Sequence, residues 1–152
     1  MRAVWLVLLV TVAACSSAPP APPYRPVADV KTLMASVTEP AADVYWDAVG
    51  IVVDSEGEHQ IEPKTAEDWD AVRNAAYVVA ESGNLLMMPS RAKDNGEWMR
   101  AAQQMIEAAQ KAIRAAESHD KTAVFDTGAE VYDSCTNCHS KYSPDIVRPN
   151  TR

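Results

Sequence analysis

Thr122-Ala123-Val124-Phe125-Asp126-Thr127-Gly128-Ala129-Glu130-Val131-Tyr132-Asp133-Ser134-Cys135-Thr136-Asn137-Cys138-His139-Ser140-Lys141-Tyr142 reads as one helix with a chemical motif in its last turns. Val124, Phe125, Val131 and Tyr132 supply an apolar face at helical spacing. Cys135, Cys138 and His139 follow at positions i, i+3 and i+4. Residues so spaced share one face of a helix, so two thiols and an imidazole project the same way.

That C-x-x-C-H string has the spacing of a c-type haem attachment site. Two thiols add across the two vinyl groups of one haem, and the adjacent imidazole reaches the iron from the same side. A thioredoxin-like dithiol needs a βαβ setting, and no strand pattern surrounds the motif. Structural zinc wants four ligands at paired spacings, yet the other histidines, His59 and His119, lie far off in sequence. A plain disulfide leaves His139 unexplained.

Working back toward the N-terminus, three further helices are expected. The first covers about 27–53, with Val27, Val30, Met34 and Val37 as an apolar stripe, Leu33 beside Met34, and Pro40 as a kink or restart. Residues 54–64 read as a polar loop. Thr65 caps a second helix that runs to about Met88, with Gly83-Asn84 loosening its end and Pro89 stopping it. An Ala-rich third helix spans about 97–118. Short connections make antiparallel neighbours, so the expected fold is all-α, an up-down-up-down four-helix bundle with one covalent haem near the C-terminal end of helix 4.

The other end of the chain reads as an export signal. Arg2 precedes the apolar run Val4 to Val10, which is too short to span a bilayer, and small residues lead to Val12-Ala13-Ala14-Cys15. This resembles a bacterial lipobox, with 1–14 as signal peptide and Cys15 as the lipidated first residue. Residues 15–26 form a Pro/Ala/Ser-rich tether that favours extended backbone and buries no core. The folded domain is then 27–152. Ser16 and Ser17 after the Cys favour the outer membrane, on its periplasmic side, with acyl chains on Cys15 holding the protein to the lipid bilayer.

The chain holds 14 Lys+Arg against 21 Asp+Glu, a net charge of −7. Removing 1–14 takes away Arg2, leaving 13 against 21, or −8. Such a balance argues against nucleic acid, which needs clustered Lys and Arg, and favours a partner with a basic patch.

A helical domain ending in Cys135-Thr136-Asn137-Cys138-His139 resembles the cytochrome c-prime family, the class II c-type cytochromes. The stretch Tyr132 to Tyr142 carries most of the likeness. Val30 to Met34, with Pro40 and Trp46, looks like the first helix of a lipoprotein branch of that family. The resemblance implies thioether bonds at Cys135 and Cys138 and His139 as the proximal iron ligand. It also implies a choice at the sixth position, between a first-helix Met in low-spin members and an apolar block in high-spin ones.

Met34 is the candidate distal ligand, with core packing as the alternative. Where family members often carry Arg or Lys four residues after the ligand His, this chain has Ser143, with Lys141 displaced.

Two functions follow. One is a single-electron carrier between extracytoplasmic redox proteins. The other is a five-coordinate haem module binding nitric oxide or carbon monoxide. No acid–base pair suggests an enzyme, and the resemblance leaves a homodimer open. Met87, Met88, Met99 and Met105 read as core or haem contacts, as do Trp46, Trp69 and Trp98. Arg91 reads as a surface residue, with a haem propionate as the alternative partner for its fork.

Overall fold

The structure, a computed structural model, describes residues 24–147. Cys15 and the signal segment lie outside the described residues. The fold is mostly helical with one small two-stranded sheet.

Three long helices are built much as their caps and apolar periods dictate. α3 (Ala66–Leu86) opens with a capping box, in which the Asp68 N–H donates to Thr65 Oγ1 at 3.1 Å and the Thr65 N–H donates to Asp68 Oδ2 at 3.0 Å. α4 (Glu97–Glu117) buries Trp98, Met105, Ile113 and a row of alanines. α5 (Lys121–Tyr142) starts on Asp120, whose carboxylate accepts from the Thr122 and Ala123 N–H groups at 3.0 Å each. A short helix, α6 (Pro144–Val147), follows.

α3 packs on α4 and α4 on α5. Small side chains let these backbones approach. A Cβ at Gly83 would stand 2.4 Å from Ile106 Cγ1, so this glycine serves the α3–α4 contact and does not loosen the helix end, which runs on to Leu86.

The first helical run is continuous but not uniform. α1 spans Val30–Leu33, α2 spans Glu39–Trp46, and Met34–Thr38 between them winds as a π turn. Pro40, at the start of α2, accounts for it. Its ring has no N–H to give to the fourth carbonyl back and collides with that carbonyl in a regular helix. The backbone closes a wider ring instead, with the Glu39 N–H donating to Met34 O, and the buried Thr38 hydroxyl turns back to Leu33 O at 3.5 Å.

One extra residue in a turn rotates the preceding stretch by about 100°. The expected stripe is corrected accordingly. Val37 is 37 % exposed, and Val27, outside the helix, is 99 % exposed. Leu33, at 2 %, is in the core beside half-buried Met34, as the sequence places it.

α2 is held at its far end by two side chains. The buried Tyr45 hydroxyl donates to Ala112 O at 3.1 Å and shares a 2.8 Å hydrogen bond with Thr127 Oγ1. Trp46 Nε1 donates to Gly128 O at 3.0 Å.

The expectation of helix as far as 53 and loop over 54–64 is overturned. α2 ends at Trp46, and β1 (Gly50–Asp54) pairs antiparallel with β2 (Gly57–Ile61) in a hairpin. The physical reason lies in Ile51-Val52-Val53, whose β-branched side chains suit a strand, and in Gly57, which takes φ +130° to close the turn. Asp54 Oδ1 accepts from the Glu56 N–H at 2.8 Å across that turn. His59 sits exposed on β2, 3.2 Å from Asp54 Oδ1. His119 adopts φ 53° between α4 and α5 and stacks on Trp69 with ring centroids 4.8 Å apart.

Candidate functional site

Four helical elements meet at a narrow apolar cavity. α5 contributes Cys135, Cys138 and His139, as their shared face requires, and Met34 enters from the π turn. Leu86 at the end of α3, with Trp98 and Met105 from α4, closes the remaining walls. The void is about 350 Å³ including its open side, and it narrows inside to room for little more than one water-sized sphere, about 20 Å³. A group as broad as a porphyrin therefore requires these walls to part.

Both cysteines are half-buried free thiols. Burial pushes the Cys135 thiol up, with a hydrogen bond from Ser134 opposing. Burial and then the neighbouring Cys135 push Cys138 up. A reactive redox dithiol works the other way, with a thiolate stabilised by nearby positive charge. Among the described residues no three His, Cys, Asp or Glu side chains gather as a metal-ion cage. The donor set is thus two thiols and one imidazole on one helix face, with a thioether on the cavity wall. It suits a flat, apolar, covalently held group better than a bare ion.

The motif's end of α5 is tied to the start of α4. Asp94 Oδ1 accepts from the Gly96 N–H at 2.8 Å and the Trp98 N–H at 3.1 Å, capping α4, while Asp94 Oδ2 accepts from the Tyr142 hydroxyl. Tyr142 sets its edge against Trp98, ring centroids 4.9 Å apart at 82°, and Lys141 pairs with Glu97. Trp98 is 4 % exposed, and its Nε1 donates to Leu86 O at 2.8 Å, which fixes one cavity wall. This cluster bridges residues some 48 positions apart, so no local spacing announced it.

The Tyr142 hydrogen bond, helped by the two backbone donors, lowers Asp94 to about 2, from an ordinary 3.8. Burial first, and Asp94 next, push Tyr142 up to about 12. Because the folded-state value of Asp94 lies below its unfolded value, the contact favours the folded protein fully above about pH 4 and loses its benefit as the pH falls toward 2. Asp94→Asn is expected to lower thermal stability at neutral pH and to flatten the decline between pH 4 and 2. Near-UV circular dichroism through an acid series checks this, and an unchanged slope in the variant counts against the contact.

Arg91 is corrected from a surface residue to a buried one, 7 % exposed. Its Nε donates to Ala28 O at 3.0 Å, and its Nη1 to Leu85 O at 3.2 Å and Met88 Sδ at 3.0 Å. The fork holds the segment before α1 against the end of α3, and so helps set where Met34 lies. Trp46 and Trp69 stand away from the cavity. Met99 packs against the core.

Comparison with family models, with curated proteins and with solved structures returns no match. Among the described residues no helix is long and apolar enough to cross a membrane.

Proposed function

We propose that the chain is a membrane-tethered, single-haem c-type cytochrome of the cytochrome c-prime kind, an electron carrier rather than an enzyme, working outside the cytoplasm. The observation that carries this reading is the convergence of Cys135, Cys138, His139 and Met34 on one apolar cavity. The helix pairings described above support an up-down-up-down bundle with the haem at the C-terminal end of α5. Cys135 and Cys138 would hold the haem by thioethers, with the His139 imidazole and the Met34 thioether as the groups to bind its iron. Bound there, haem supplies a reversible one-electron couple between ferrous and ferric iron.

The chain's own residues do the rest. Trp98, Leu86 and Met105 keep the pocket dry, which with ligand identity sets the potential. Tyr142 and Asp94 hold the motif's turn against α4. Acyl chains on Cys15 hold the protein at the periplasmic face of a membrane, and the tether gives it reach.

Acid–acetone extraction of the purified holoprotein tests the reading. Haem is expected to stay with the polypeptide, and to come free once both Cys135 and Cys138 are replaced by Ser. Intact haem released from the unaltered protein, or no haem acquired on export, overturns it.

A further inference from the structure

A second depression lies away from the cysteine motif, between α2 and α5. Its void is about 720 Å³ including its open side, and its walls are Tyr45, Trp46 and Val49 on one side and Phe125, Ala129 and Tyr132 on the other. Trp46 and Tyr132 meet edge to face across it, ring centroids 5.8 Å apart. The Trp46 ring lies over Gly128, whose carbonyl accepts from its Nε1 at 3.0 Å. Phe125 is 64 % exposed and Tyr132 58 %, with Val44 also open to solvent. Large aromatics left this open mark contact surfaces rather than core.

The groove's own charged residue is Asp133, and the charges nearest it along both helices are acidic. α2 and its C-terminal residue offer Glu39, Asp43 and Asp47, and α5 offers Asp126, Glu130 and Asp133, every one exposed. Neither 34–49 nor 122–140 contains a lysine or arginine. Lys111 on α4 pairs with Glu130, and Lys121, at the start of α5, pairs with Glu62. An apolar centre with an acidic rim is complementary to an apolar patch ringed by Lys and Arg, and such fields steer encounter. A second copy of this chain would bring like charges face to face. An anionic leaflet would be repelled. Tyr132 stands three residues before Cys135, so a partner seated here lies one helical turn from the first thiol of the cavity.

We infer that the α2–α5 groove is the docking surface for a folded redox protein that presents a lysine- or arginine-rimmed apolar patch. The inference rests on the electron-carrier reading for its purpose, though not for its contact. One electron leaves the ferrous form of this protein and arrives at the ferric partner, with no bond made or broken and no proton moved.

The test uses the full-length, ¹⁵N-labelled holoprotein in zwitterionic detergent, titrated with basic mitochondrial cytochrome c as probe. Lysine-acetylated cytochrome c serves as the charge control. Amide shifts are expected to gather at 43–47 and 125–133, to weaken with added salt and to vanish with the acetylated probe. Phe125→Ser, and separately Asp43→Asn with Asp133→Asn, are each expected to weaken binding about tenfold.

Shifts centred on other residues, equal binding of the acetylated probe, or groove shifts that appear on concentrating the protein alone each overturn the proposal. Stopped-flow reduction of the probe is read separately. A groove that binds the probe without passing an electron retains the docking surface and sinks the carrier reading instead.

Discussion

Replacing Met34 by Leu is expected to change the haem from six-coordinate and low-spin to five-coordinate and high-spin, with the ferrous form then binding carbon monoxide. The unaltered protein is expected to ignore the gas. Met34 lies on the wall of the cavity that also takes Cys135, Cys138 and His139, and it is half-buried on a turn whose winding fixes its direction. Leu preserves the volume and removes only the sulfur. Swaps of that kind cost under about 1.5 kcal/mol, so the fold survives to report on the ligand alone.

A thioether favours ferrous iron, and the variant's reduction potential is expected to fall as well. Spectra of the oxidised, reduced, and reduced carbon-monoxide forms, with far-ultraviolet circular dichroism as a folding control, give the answer. If the unaltered protein is already high-spin and shifts under the gas, Met34 is a packing residue and the protein binds gas rather than carrying electrons.

Much of the helical frame was legible because it is written locally. Thr65 with Asp68 and the alanine row of α4 each announce their own element without reference to anything distant, whereas of the face expected on α5 only Val124 and Val131 are buried and Phe125 and Tyr132 are exposed. Cys135, Cys138 and His139 were legible for the same reason, since five adjacent residues suffice to define their shared face.

The misses share a cause too. Val44, Val49 and Val53 extend a helical period as readily as a strand. The hairpin has no buried face to impose the alternation that would have exposed it, because β1 and β2 are almost wholly exposed. The burial of Arg91 is not legible in the sequence because its acceptors, the carbonyls of Ala28 and Leu85, are backbone atoms that sequence does not display. Asp94 with Tyr142 was out of reach because long-range contacts leave no spacing to count.

The π turn is the instructive case, and it carries the largest stability effect expected here. Pro40 marks a disturbance in the sequence itself. A kink or a restart, however, leaves the upstream residues facing as a regular helix would have them, and a widened turn does not. In the regular register Val37 belongs to the buried stripe. Leu33, four residues earlier, shares that face in a regular helix; in the wound register Leu33 stays buried while Val37 turns to solvent.

Leu33→Ala is therefore expected to destabilise the protein by about 2–5 kcal/mol, the range for emptying a buried leucine site. Val37→Ala is expected to cost less than about 1 kcal/mol, as partly exposed positions do. Urea unfolding of both variants under the same conditions decides between the registers. Comparable losses would mean that the helix winds regularly past Pro40, with Leu33 and Val37 four residues apart on one buried face.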